Sequence, residues 1–210
     1  MGDAVGRSKL ARRDGPLARR LPEPGSVRWK AVEPYWQRVD IYGGADGFLR
    51  SFAAVPEPVG HLLAVTWCES EACNGGFHQF FKNSTGVLAP EAALGFRALN
   101  MPALAEMVEK AMSVFGIPYP REGEERKRIL ARIGEGADDD AEREWNPFYD
   151  LDDGFFATIR DDVLCDAADN YASQSVPEAQ VMPTPERQSY GRVCYARLGP
   201  LPLLSGAADR

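Results

Sequence analysis

Acid–base chemistry could be carried by two glutamates and a histidine that lie close to a helix-breaking sequence. An apolar helical segment ends at Asn74-Gly75-Gly76, with carboxylates before this tripeptide and an imidazole after it. Glu and His side chains can act as general acid and base when a fold brings them into one pocket. One hypothesis is therefore a hydrolase-type enzyme whose pocket contains Glu69, Glu71, Asn74, His78 and Gln79. Because no serine or cysteine nucleophile signature accompanies these residues, we expect no catalytic residues and a protein that is not an enzyme.

A structural role for the same tripeptide is the favoured interpretation. Asn74-Gly75-Gly76 is too short for a phosphate-binding loop, which would also need a preceding strand. The two glycines allow a sharp turn, and Asn74 suits a capping or left-handed conformation. Phe77, Phe80 and Phe81 follow at i, i+3 and i+4, a spacing that predicts one buried face of a second helix.

Negative charge is concentrated in a single stretch of the chain. Residues 135–169 contain 13 acids against two bases, so 2 − 13 = −11, whereas the whole chain carries −7. Such a stretch is either a solvated surface or a surface that binds a basic partner. We favour binding to a basic DNA-binding protein or transcription factor, without direct nucleic-acid binding by the acidic domain. The candidate partner-binding residues are Asp138, Asp139, Asp140, Glu142, Glu144, Asp161, Asp162, Asp166 and Asp169.

Metal binding is a weaker use for these residues. Counted from Asp150, the glycine of Asp150–Gly154 falls at position five of an EF-hand loop instead of six, and no Glu follows at twelve. We instead expect Asp152 and Asp153 to cap the N-terminus of the last helix. The four cysteines do not have zinc-type spacing, so we expect no metal and no cofactor.

Three regions are predicted to organise the chain. Residues 1–30 carry eight bases and three acids, with little apolar periodicity, which predicts a disordered basic arm. This arm could remain disordered, fold back on the acidic stretch or contact nucleic acid. Residues 31–175 are predicted to form one helical domain. Residues 176–210 contain several prolines and predict a tail or a strap across the surface, in which Tyr190, Val193, Tyr195 and Leu198 could form one extended segment.

Helical periodicity runs through the whole central region, so the predicted fold class is all-α. The longest helix is expected to be the last, with Asp162, Asp166 and Asp169 forming a stripe along it. No apolar run is long enough for a membrane span and no secretory signal is visible, so we expect a cytoplasmic protein. The predicted helices cover residues 35–42, 48–55, 58–72, 77–85, 90–99, 101–115, 121–133 and 155–171.

The helix-breaking motif also resembles the signature of a bacterial family typified by a neisserial DNA-mimic protein. Its residues are Asn74, Gly75, Gly76, Phe77, Gln79, Phe80, Phe81 and Asn83. Weaker blocks follow in the same order, so the resemblance covers about residues 35–172: Lys110-Ala111, Phe115, Phe148, Leu151-Asp152, Phe155-Phe156 and Tyr171. One departure is Asn100-Met101, where relatives tend to have Gly-Ala.

This resemblance implies an all-α fold and a structural role for the motif. In the typical family member it implies a dimer whose carboxylates imitate DNA phosphates and occupy a DNA-binding regulator. We therefore predict an acidic helical binding protein that acts as a DNA mimic, with a homodimer as one possible state. An immunity-like or structural interaction protein is the alternative, and a hydrolase that uses Glu69, Asn74 and His78 is the third hypothesis.

Overall fold

The protein is helical throughout the part of the chain that the computed structural model describes, which comprises residue 22, residues 25–135 and residues 145–177. This part contains no strand, and the all-α prediction is confirmed. None of its helices is long and apolar enough to cross a membrane. The helices are α1 Val27–Trp36, α2 Gly44–Phe52, α3 Glu57–Lys82, α4 Ala89–Ala98, α5 Pro102–Met112, α6 Gly123–Ile133, α7 Tyr149–Thr158 and α8 Val163–Ser175.

Helix α3 is the centre of the domain and its longest helix. Its residues 62–69 are all buried and, apart from Thr66 and Glu69, all apolar, so no polar stripe faces solvent. A helix that is apolar all round must be surrounded by other elements. Accordingly, α1, α4, α6, α7 and α8 all pack against it.

The predicted break at the glycines is present inside α3. Gly75 has φ −163° and ψ 30°, Gly76 has φ 70° and ψ −175°, and helical geometry resumes at Phe77. A resumed helix exposes backbone N–H groups that have no partner in its own first turn. The amide of Phe77 donates to Oδ1 of Asp152 at 2.7 Å, in a buried position. A carboxylate from α7 thus caps the second half of α3.

The three phenylalanines after the break pack inward, as their spacing predicts. All three are fully buried. The ring of Phe81 lies 4.8 Å from that of Phe115 and 5.4 Å from that of Phe148, while the rings of Phe77 and Phe155 are 5.2 Å apart. This aromatic cluster joins α3 to α7 and to the turn after α5.

The end of α3 is held by a buried arginine from α6. The Arg126 guanidinium donates to the carbonyl oxygens of Phe81 at 2.9 Å and Asn83 at 3.0 Å, and also to those of Pro120 and Arg121. The last carbonyls of a helix lack partners and carry partial negative charge, so a cation there is stabilising. Burial lowers the pKa of Arg126, because desolvation disfavours its charged form.

The predicted boundary of the basic arm at residue 30 is wrong, as is the predicted helix over residues 35–42. Helix α1 begins at Val27, because Ser26 accepts the amide of Trp29 at 3.1 Å and so caps it. Arg28, assigned to the arm from its charge, is buried. The residues before position 25, apart from residue 22, lie outside the described part of the chain.

The predicted last helix is two helices. Helix α7 ends at Thr158, a 3-10 turn covers Arg160–Asp162, and α8 starts at Val163. Asp162 has φ 62°, a left-handed conformation that interrupts the helix and that Asp tolerates better than most residues. Asp162 therefore precedes α8, and the predicted stripe is reduced to Asp166 and Asp169.

Two further expectations are changed by local geometry. Asp152 is not the N-cap of its own helix, because Phe148 holds that position; from the first turn of α7, Asp152 caps the second half of α3 instead. Asn100 has φ 59°, a conformation that glycine adopts without strain and asparagine tolerates. Asn100, which stands where relatives tend to have glycine, therefore adopts a backbone conformation that glycine also adopts.

Replacing Gly76 tests how tightly the break is tied to Asp152. A Cβ at Gly76 would lie 2.4 Å from Oδ2 of Asp152, whereas one at Gly116, which has φ 88° and ψ −176°, would meet nothing within 4 Å. Both positions share one glycine-favouring backbone region. We expect Gly116→Ala to lower the free energy of unfolding by about 1–2 kcal/mol and Gly76→Ala by about 3 kcal/mol or more. Urea denaturation of both variants measures the difference; equal losses would contradict the close approach.

Candidate functional site

The predicted acidic face is only partly placed by the structure. Asp138, Asp139, Asp140, Glu142 and Glu144 lie outside the described residues, and so does the side chain of Asp161. Asp162 and Asp166 are exposed. Asp169 is half-buried, and its Oδ1 accepts the amide of Arg28 at 2.7 Å. Asp169 thus helps to cap α1 with one of its two carboxylate oxygens.

Two exposed carboxylates that were not assigned to this face lie on α7. Asp150 and Asp153 are exposed, and they are one helical turn apart at i, i+3. In the sequence, the pattern around them indicates helix capping or, more weakly, metal binding. Arg160 is the one basic residue between positions 145 and 177. The described surface of α7, the 3-10 turn and the start of α8 is therefore predominantly acidic; we call the four exposed aspartates Asp150, Asp153, Asp162 and Asp166 the acidic surface.

The carboxylate of Glu71 organises the polar groups around the helix break. Its Oε2 accepts from Gln79 Nε2 and from Asn83 Nδ2, each at 2.8 Å, and its Oε1 accepts from Thr85 Oγ1 at 3.2 Å. These donors come from the second half of α3 and the turn that follows it. Gln79 and Asn83 of the family-like motif therefore brace the break.

Glu69, the other carboxylate of the enzymatic hypothesis, lies in a buried ion pair. Arg28 Nη1 is 2.9 Å from Glu69 Oε2, and both side chains are at most 2% exposed. Arg28 Nη2 also lies 3.8 Å from Cys165 Sγ on α8. One arginine in the first turn of α1 therefore joins α1, α3 and α8. The sequence did not indicate this pair, because 41 residues separate its members.

The two histidines are partly buried, and burial lowers the pKa of each. For His61, on α3, Glu57 opposes this effect; for His78, Lys82 adds to it. His61 Nδ1 lies 2.8 Å from the hydroxyl of Tyr171 on α8. At neutral pH both imidazoles are therefore expected to be neutral.

Among the described residues, no group of three or more His, Cys, Asp or Glu side chains is arranged so that it could hold a metal ion. Burial raises the pKa of the Cys68 thiol, which disfavours the thiolate that a metal would need.

An open groove of about 620 Å³ lies between the α4–α5 junction and α8. Residues 98–104 form one wall, and the other is formed by Thr158, Val163, Ala167, Asn170, Tyr171 and Gln174. None of the residues predicted from sequence to form a site lines this groove. The residues that line the groove were not predicted from the sequence, because none of them has a charged side chain.

Removing the cation from the buried ion pair should destabilise the domain strongly. We expect Arg28→Met to lower the free energy of unfolding by about 3–5 kcal/mol, because the Glu69 carboxylate stays buried without its cation. The double variant Arg28→Met/Glu69→Leu should recover much of this loss. The control is Arg97→Met, whose partner Glu109 is about half exposed, and which should have a far smaller effect. Chemical denaturation tests this cycle; a small loss for Arg28→Met alone would contradict it.

Acid should destabilise the domain through its histidines. Because the folded-state pKa of each is lowered, the unfolded chain binds protons more readily, so stability is complete above about pH 6.5 and falls as the pH decreases below it. We expect the variant His61→Asn/His78→Gln to lose part of the stability difference between pH 7.5 and pH 5.5. NMR titration of the imidazole protons gives both pKa values directly, and a value above 6.5 for either residue would refute this account.

Comparison with known proteins gives one match. No curated protein and no solved structure matches the chain. A family model described as DMP19-like protein matches residues 53–175, from the end of α2 to the end of α8. The break at Gly75-Gly76, Asp152 and the acidic surface all lie within these limits, whereas Arg28 and α1 precede them. The match covers more than half of the 210 residues, and the chain therefore belongs to the DMP19-like protein family.

Proposed function

We propose that the protein is a binding protein whose acidic surface occupies a basic DNA-binding protein in the manner of a DNA mimic. Membership of the DMP19-like family supports a DNA-mimic role. The observation that carries the proposal is the division of the aspartates on and next to α7 and α8. Asp152 and Asp169 each accept a backbone amide from another helix, while Asp150, Asp153, Asp162 and Asp166 are exposed.

This division gives the exposed carboxylates fixed positions. Asp152 ties α7 to α3 at 2.7 Å, and Asp169 ties α8 to α1 at the same distance. Each inward aspartate lies on the same helix as, and within one turn of, an exposed aspartate. A DNA mimic needs negative charges held in a definite arrangement, because duplex DNA presents one charge per about 1.7 Å of its axis. The acidic residues between positions 138 and 144 are expected to add to this charge.

The energetic cost of the acidic surface also favours a binding role. Asp150 and Asp153 are spaced i, i+3 on α7, and like charges at this spacing are destabilising by about 0.2–0.5 kcal/mol per pair. Arg160 is the one base among the described residues of this region. A surface that carries mainly one sign of charge attracts a partner of the opposite sign.

A binding role is also favoured over hydrolysis by the state of the helix-break carboxylates. Glu69 is paired with Arg28, and Glu71 accepts hydrogen bonds from three side chains. A general base needs lone pairs directed at a substrate proton. Both carboxylates are engaged within the domain, so we propose that this region is structural.

Exchanging the four exposed aspartates tests this function. Wild type and the variant Asp150→Asn/Asp153→Asn/Asp162→Asn/Asp166→Asn are used to capture proteins from a bacterial lysate. We expect wild type to retain a DNA-binding protein that is released by moderate salt and by duplex DNA carrying that protein's binding site, because both compete for the same cationic groups. The variant should retain far less of it.

The matched control changes the same number of charges elsewhere. Asp46→Asn, Glu106→Gln, Glu122→Gln and Glu125→Gln also alter exposed acids, and Asp46 lies in the first turn of a helix, as Asp150 does. Circular dichroism confirms that each variant is folded. Equal retention by both variants, or a captured partner that duplex DNA does not displace, would contradict DNA mimicry and favour the immunity-like or structural alternative.

A further inference from the structure

The groove between the α4–α5 junction and α8 has no charge. Its 13 lining residues include no Lys, Arg, Asp, Glu or His, in a chain of which 26% is charged. Several apolar members are open to solvent, and Val163, at its edge, is 48% exposed. An uncharged concave surface of this size is typical of a peptide or ligand site. The groove therefore offers no negative charge to a basic partner of the acidic surface.

The polar groups in the groove are those that bind peptide backbone. Asn100, Asn170 and Gln174 are exposed amides, each able to donate and accept hydrogen bonds. Tyr171 contributes an aromatic ring whose hydroxyl is held 2.8 Å from His61 Nδ1. Uncharged grooves with a fixed aromatic wall are suited to proline-rich segments in the extended polyproline conformation.

The chain itself contains a segment with the matching composition. Residues 198–208 read Leu-Gly-Pro-Leu-Pro-Leu-Leu-Ser-Gly-Ala-Ala, with four leucines, two prolines and no charge. Arg197 and Asp209 flank the segment, so it is an isolated uncharged run. Leucine side chains are more stable when buried than when exposed to water, so burial in a groove would stabilise such a run.

The point where the chain leaves the domain is also suitable. Helix α8 supplies one wall of the groove through Gln174, the residue before its end at Ser175. From Val163 to Gln174 this wall is about 17 Å long, and the seven residues Leu198–Leu204 in a polyproline conformation extend about 20 Å. There are 21 residues between Val176 and Leu198, enough to reach either end of the groove, because a chain can span up to about 3.3 Å per residue.

We propose that residues 198–208 of this chain dock in the groove between the α4–α5 junction and α8 as an intramolecular peptide ligand. The leucines occupy the apolar surface around Val163 and Ala167, the prolines lie against Tyr171, and the exposed amides bind the backbone. Tethering gives the segment an effective concentration in the millimolar range, so that a weak site is occupied. The contact uses none of the four aspartates of the acidic surface and pairs no charged groups.

Photo-crosslinking of the full chain tests this contact. Benzoylphenylalanine is placed at Val163, on the edge of the groove, and in a control protein at Ile117, which is 98% exposed and does not line it. After irradiation, trypsin releases the segment as one peptide because it cleaves after Arg197. We expect the Val163 probe to crosslink to the peptide 198–210 at the mass of a single chain, and the yield to be unchanged at 0.5 M salt.

A tail variant provides the second comparison. Leu201→Ser/Leu203→Ser/Leu204→Ser removes the apolar side chains without altering the domain, and it should reduce the crosslink from Val163 at least fivefold. The proposal is overturned if Val163 crosslinks to a second copy at twice the mass, if it gives no crosslink to residues 198–210, if the serine variant crosslinks equally well, or if the Ile117 probe captures the same peptide with equal yield.

Discussion

The amide of Phe77 and the carboxylate of Asp152 form the contact on which the arrangement of the domain depends. Once Gly75 and Gly76 interrupt α3, the helix that resumes must find a partner for its first amide in a buried environment. Asp152 supplies it from α7, and Arg126 supplies donors for the carbonyls at the other end of the same segment. Six residues of α3 are thus held at both ends by side chains from two other helices, and the phenylalanine cluster forms between these two contacts.

The same chemistry gives the aspartates of α7 and α8 two different tasks. A carboxylate that accepts a backbone amide inside the fold contributes to positioning, as Asp152 does for α3 and Asp169 does for α1. A carboxylate one turn away faces water and contributes charge to the surface. The net charge of residues 135–169 therefore overestimates the number of carboxylates available at the surface, because some of them accept hydrogen bonds within the domain. What remains is smaller, but it is carried by helices whose positions are defined.

Local patterns predicted much of this fold, whereas contacts between distant residues were not visible in them. The spacing of Phe77, Phe80 and Phe81 indicates their burial, and the paired glycines indicate the break. The partner of Phe77 is 75 residues away and that of Arg28, through its amide, 141 residues away, so periodicity could not reveal either. The left-handed Asp162 was also missed, because aspartate is compatible with a helix and the apolar spacing continues through it.

Hydrogen exchange at the amide of Phe77 tests the central contact most directly. In the wild-type protein this amide is expected to exchange only when the whole domain unfolds, at the same free energy as the buried amides of residues 62–68 in the first half of α3. In Asp152→Ala it should exchange through local opening, much faster than those amides. Rapid exchange of the Phe77 amide in wild type, or equal protection in both proteins, would contradict the account, because the break would then not depend on the carboxylate of α7.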